Sequence, residues 1–140
     1  MRNIAVIFLV IVLFISCSEE KKEVKVDNVE AYAFALENGW EINASAIASN
    51  FQLLQNEDEY SAKLSYYVNL ISPSGELYEE VDYGMADNTE DEEFDDLQIK
   101  VQLFVDEGFE PGAYTLQMFV TDDLSETEDS ASTKFELIKE

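Results

Sequence analysis

The sequence predicts an all-β protein, an antiparallel two-sheet sandwich of about seven strands, and three observations carry that expectation. Apolar residues recur with a period of two in several separate segments, as they do along half-buried strands. Turn signals separate those segments, at Asn38-Gly39, Ser72-Pro73-Ser74-Gly75, Glu110-Pro111-Gly112 and Asp122-Asp123. No stretch carries a convincing helical stripe, and only Ala44 to Leu54 is ambiguous. Short antiparallel strands in such number bury their apolar faces by packing one sheet on another.

The chain opens with a different kind of segment. Met1-Arg2-Asn3 is a short positive head, followed by twelve apolar residues from Ile4 to Ile15 and then Ser16-Cys17-Ser18. Twelve helical residues reach about 18 Å, well short of a hydrocarbon core of roughly 30 Å. A charged head, a short apolar run and a small residue before a cut describe a secretory signal instead. Phe14-Ile15-Ser16-Cys17 resembles the lipobox of bacterial lipoproteins. That resemblance implies cleavage before Cys17 and a lipid on its sulfur. Two or three acyl chains at ~0.8 kcal/mol per buried CH₂ anchor stably.

Ser18-Glu19-Glu20-Lys21-Lys22-Glu23 has nothing to bury and reads as a flexible stalk. Ser18 directly after the Cys resembles lipoproteins sorted to an outer membrane. The acidic cluster behind it resembles the surface-export signal of Bacteroidota lipoproteins, and a plain solvated spacer is the competing reading. The expected organisation is a signal peptide over 1–16, lipidated Cys17 with a tether over 17–27, and one β domain over 28–140.

Seven strands are expected within that domain, at 29–36, 40–48, 60–71, 76–82, 97–105, 113–121 and 131–138. Tyr32, Phe34 and Leu36 alternate up to Asn38-Gly39, after which Trp40, Ile42 and Ala44 resume. Asn-Gly between alternating runs is a strong hairpin signal. Residues 60–70 place Tyr60, Ala62, Leu64, Tyr66, Val68 and Leu70 on one face. Leu97 to Val105 and Tyr114 to Val120 repeat the pattern, and Ala131, Thr133, Phe135 and Leu137 form a weaker copy.

Pro111-Gly112-Ala113-Tyr114 opens the penultimate strand and resembles immunoglobulin-like and fibronectin-like modules. In that family the Tyr forms a corner, its hydroxyl bonded back to the preceding loop. The resemblance implies an immunoglobulin-like sandwich with Tyr114 as a structural corner and its acceptor near Glu107 to Phe109. Antibody domains join their sheets through a Cys pair, which a chain with one Cys cannot form.

Composition narrows the function. Acids outnumber bases 31 to 8, for a formal charge of −23, and the only Arg is Arg2. Nucleic acid is therefore no partner, because there is no cationic surface to displace counterions. With no His, Ser-His-Asp and Cys-His catalysis and imidazole zinc sites are excluded. Carboxylate-pair catalysis needs two acids held in a cleft with separated pKa values. Among 31 acids any pair can be drawn, so the chain is expected to be non-enzymatic.

Two leads remain. Asp87, Glu90, Asp91, Glu92, Glu93, Asp95 and Asp96 crowd one ten-residue segment. Oxygen ligands so placed suit Ca²⁺, with Asp87, Glu90, Asp91, Glu93, Asp95 and Asp96 as candidate ligands. The twelve-residue Ca²⁺ loop pattern fails, however, with Glu92 where Gly belongs and Gln98 where Glu belongs. The competing reading is a solvated acidic loop. The second lead is aromatic: Tyr67, Tyr78 and Tyr83 fall at or near outward positions, where rings stack on sugars or anchor proteins. Trp40 continues the face of Ile42 and Ala44 and is expected in the core. The chain thus reads as an outer-membrane, surface-facing lipoprotein, a binding or assembly module with a protein or glycan partner. A Ca²⁺-dependent adhesion module is the alternative.

Overall fold

The computed structural model describes residues 22–139. The expected signal peptide and Cys17 lie outside the described residues. Among these, the chain forms ten strands and no helix: β1 (Lys25–Leu36), β2 (Gly39–Ser49), β3 (Leu54–Asn56), β4 (Glu59–Ala62), β5 (Leu64–Ile71), β6 (Leu77–Met85), β7 (Asn88–Glu90), β8 (Asp96–Asp106), β9 (Gly112–Asp122) and β10 (Thr127–Leu137). Every pairing is antiparallel. One sheet runs β1-β2-β8 and a second β10-β9-β5-β6. The short β3, β4 and β7 form a third, in the order β3-β4-β7.

The first two sheets share one core. Ile42, Ala46 and Ile99 come from one, and Leu64, Val68, Leu116 and Met118 from the other, all essentially inaccessible to solvent. Burying a large aliphatic or aromatic side chain contributes roughly 1.5–3 kcal/mol. Strand β9 alternates without a break, with Tyr114, Leu116, Met118, Val120 and Asp122 buried.

The count of about seven strands in two sheets is corrected to ten in three, and the reason is visible at Lys63. Ala62 and Leu64 are both fully buried, so side-chain alternation runs through 60–71. The backbone, however, changes partner there. Residues 60–62 pair with β7, whereas 64–71 pair with β9. Periodicity records which face a side chain occupies and is blind to such a switch of neighbours.

The tether expected over 17–27 includes residues that belong to the domain. Val24 and Val26 are buried, and their N–H groups donate to Thr127 Oγ1 at 3.0 Å and Asp129 Oδ2 at 2.8 Å. The seam between β1 and β10 therefore takes in residues that the stalk was expected to contain. A register shift between Asp27 and Glu30, with Asn28 at φ 49°, interrupts the pairing of β1 with β2, which begins at Lys25.

Beyond that bulge β1 is turned the opposite way from its apolar pattern. Ala31 faces the core while Tyr32, Phe34 and Leu36 are exposed. Half-buried Ala33 pairs with buried Ile42, while Ala35, opposite Trp40, stays exposed. The first hairpin also differs from expectation. Leu36 pairs with Gly39, so Glu37 and Asn38 form the loop. Gly39 has φ 142°, and a Cβ there would collide with the Val105 carbonyl on β8.

Candidate binding surfaces

The acidic segment does not form one loop. Asn88–Glu90 is β7, and Asp96 begins β8. Between them Phe94 packs on buried Phe51, with ring centroids 5.7 Å apart, and tacks the segment to the core. Asp87 is turned toward Lys63, at 3.7 Å in an exposed pair of small energetic value. Among the described residues no three acidic side chains converge as a cation site requires. Asp87, Glu90, Asp91, Glu93, Asp95 and Asp96 are thus spread along two strands and a bend.

Tyr114 is 1% exposed, and its hydroxyl donates to the Glu110 carbonyl at 2.7 Å. The acceptor is one residue beyond the expected 107–109. Burial pushes the phenol up to about 12, helped by the Glu110 carboxylate. The ring lies among Phe109 and Phe135, at 6.5 and 5.7 Å between centroids. Glu110 in turn accepts the Ser74 N–H at 3.1 Å, joining this corner to the Ser72–Gly75 turn. Hydrogen bonds from Ser74 hold the Glu110 carboxyl below its ordinary range.

At the far end of β9 lies a residue that sequence reasoning passed over. Asp122 is fully buried. Its carboxylate accepts the Gln52 N–H at 2.7 Å, the Leu124 N–H at 3.0 Å and the Ser125 hydroxyl at 2.8 Å. Its carbonyl accepts the Glu126 N–H at 2.8 Å, closing the turn into β10. The turn signal at Asp122-Asp123 was legible; the role of the side chain was not.

Trp40 is buried, with Nε1 donating to the Ile138 carbonyl at 2.9 Å. Tyr78 packs on Phe109 at 4.9 Å and donates to Glu76 at 3.0 Å, so it belongs to the corner. Two outer sheet faces remain as candidates. On β1-β2-β8, Tyr32, Phe34 and Phe104 are 61%, 56% and 65% exposed. Beside Tyr32 an open depression of ≈ 420 Å³ is lined by polar groups including Asn43, Gln98, Lys100 and Gln102. Glu41 on this face accepts from Asn43 and Gln102, both at 2.7 Å, which lowers its pKa.

On β10-β9-β5-β6, strand register aligns Phe119, Tyr67 and Tyr83 in one row across three strands. Tyr67 stacks on Phe119 at 4.6 Å with only 4° between planes. Tyr83 and Met85 are 74% and 71% exposed. An open depression of ≈ 390 Å³ lies along this row, lined by Tyr67, Tyr83, Met85, Thr121 and Glu80 among others. Sequence reading placed Tyr67 and Tyr83 outward but missed Phe119, whose outward phase follows from the alternation of β9.

No family model matches the chain, and no curated protein matches its sequence. Among solved structures it is similar to part of a family 123 glycoside hydrolase of Clostridium perfringens, studied for glycolipid glycan hydrolysis. The TM-score is 0.50 at 12% identity, over 76% of this chain and 22% of that one. An alkylpurine DNA glycosylase of Pseudomonas fluorescens, bound to DNA containing an abasic site analogue, aligns with TM-score 0.34 at 12% identity. That alignment covers 83% of this chain and 31% of the glycosylase. The chain spans less than a third of either protein, and the likeness to the hydrolase is one of fold alone.

Proposed function

We propose that this chain is an outer-membrane lipoprotein, anchored through Cys17 and facing the surface, whose domain is a non-enzymatic binding or assembly module. The domain is an immunoglobulin-like, fibronectin-like sandwich. Its seven strands of eight residues or more support that assignment, ordered β1-β2-β8 and β10-β9-β5-β6. In the antibody constant arrangement the fourth strand lies beside the fifth; here the fourth long strand, β6, pairs with β5 instead.

The observation that carries the functional reading is the outward turn of large apolar side chains on a well-packed domain. Scattered apolar residues on a surface need no explanation, whereas a row of them marks a contact site. Both depressions on the outer faces are open rather than enclosed, a form suited to surface recognition. The carboxyls with shifted pKa, Glu41 and Glu110, are both lowered, away from the proton-donating form an acid catalyst uses.

Growth with radioactive palmitate should label the protein. Cys17→Ala should abolish the label and release the chain from membranes. Unlabelled wild-type protein that still sediments with membranes would refute the anchor.

A further inference from the structure

The geometry points to the outer face of β10-β9-β5-β6 as a docking surface for a basic polypeptide segment, whose Lys or Arg stems lie along Tyr83, Tyr67 and Phe119 while their cationic ends meet a carboxylate rim. This deepens the reading of the chain as a binding module and rests on it.

The rings and the acids are brought together by the sheet itself. Cross-strand register places Tyr67 between Tyr83 and Phe119, and the near-parallel stack fixes two of the three planes. Glu128 pairs with Thr121 across β10 and β9, and Thr121 Oγ1 donates to its carboxylate at 3.2 Å. Glu128 is thereby held one row away from the rings. Glu80 sits at a bulge with φ 48°, where the Asn69 side chain accepts its N–H at 2.9 Å, and it lines the same depression. The Tyr67 phenol is raised by burial and then by Glu128, Glu80 and Glu79, so three carboxylates act on one ring.

Charge decides the occupant. Rings within reach of carboxylates attract cations through their π faces and through Coulomb attraction together, and repel acidic partners. The whole chain, at −23, steers a basic segment inward over longer range. The other outer face also sets rings beside acids, with Glu41 in register between Phe34 and Phe104 and Glu30 beside Tyr32. There, however, Glu41 is already held by two hydrogen bonds and the Lys100 cation lines the depression.

The test uses the full chain purified in detergent and a fluorescein-labelled decapeptide of alternating Lys and Ser, read by anisotropy at ~0.15 M NaCl, where exposed charges are screened beyond about 8 Å. Tyr83→Ser should weaken binding about tenfold, as removal of an anchoring ring does, while Tyr83→Phe retains it. Glu128→Gln should weaken it about threefold, and Phe104→Ser on the opposite face should leave it unchanged. Tyr83 and Phe104 are both mostly exposed, so these variants keep the fold, which a melt verifies. Absence of wild-type binding overturns the proposal. So does equal weakening by Phe104→Ser, which would mean that the two faces bind alike, and so does full affinity in Tyr83→Ser, which would mean attraction to net charge alone. Displacement of the peptide by a neutral glucan hexasaccharide would also overturn it, in favour of a glycan surface. None of these results bears on palmitate labelling of Cys17, so failure here and failure of the envelope assignment are told apart.

Discussion

At the start of β9 a buried ring, Tyr114, ties the strand to its preceding loop through one hydroxyl bond. At its end a buried carboxylate, Asp122, gathers two backbone N–H groups and a hydroxyl from residues 52, 124 and 125. Both side chains lie on the inner face of one strand. The first end is held mainly by apolar burial, with Phe109 and Phe135 around the ring. The second is held by three hydrogen bonds that converge on one buried side chain, which exact a heavy penalty when their acceptor is lost. One fold thus stabilises opposite ends of the same strand by unlike chemistry.

The largest expected effect lies at the carboxylate. Asp122→Ala leaves the part-buried Gln52 and Leu124 N–H groups without their acceptor, and a donor left unpaired where water does not reach it costs ~1–3 kcal/mol. Urea denaturation should show a loss on the order of 3–5 kcal/mol for the whole group. A loss below about 1 kcal/mol would mean that water replaces the carboxylate freely.

At the aromatic end the effect is smaller. Tyr114→Phe keeps the ring and removes the donor to Glu110, at an expected ~1–3 kcal/mol in the same measurement. It also carries a pH signature. The phenol is raised from 10.0 to about 12 in the fold, so the folded state favours its protonated form. That contribution is complete below the unfolded pKa and lost as pH rises through the folded one. The advantage of wild type over Tyr114→Phe should therefore hold up to pH ~10 and shrink between there and ~12.

The smallest effect concerns the acidic segment between β7 and β8. Its carboxylates do not converge, so millimolar Ca²⁺ should raise the melting temperature no more than Mg²⁺ at equal ionic strength, through screening alone. A Ca²⁺-specific rise would indicate binding to the native state by mass action and restore the Ca²⁺-dependent module.

The unequal legibility of the two ends has a physical cause. Tyr114 sits in a Pro-Gly-x-Tyr context whose turn residues are rare in this chain, with 2 Pro and 5 Gly. Asp122 is one acid among 31; it continues the inner phase of Tyr114 to Val120, but an acid beside Asp123 reads as a turn rather than as a buried side chain. Long strands such as β8 and β9 were readable because their alternation is strict and their partners constant. The short β3 and β7 were not, since three residues carry too little periodicity, and β4 was read only as the start of one strand over 60–71. β1 misleads for another reason: past its bulge Tyr32, Phe34 and Leu36 face solvent while Ala31 is buried. A hydrophobic pattern reports apolarity, and a contact surface is apolar as well. The candidate face on β10-β9-β5-β6 was half visible, through Tyr67 and Tyr83. Its third ring and its carboxylate rim depend on strand order, which composition and spacing do not encode.

The independence of the two anchors is tested most directly by a double-mutant cycle in urea on Tyr114→Phe, Asp122→Ala and the pair. Eight residues of strand separate them by about 26 Å, with no shared hydrogen-bond partner. The two losses should add to within ~0.5 kcal/mol. A coupling beyond about 1 kcal/mol would contradict separate anchoring and show that the two ends of β9 yield together.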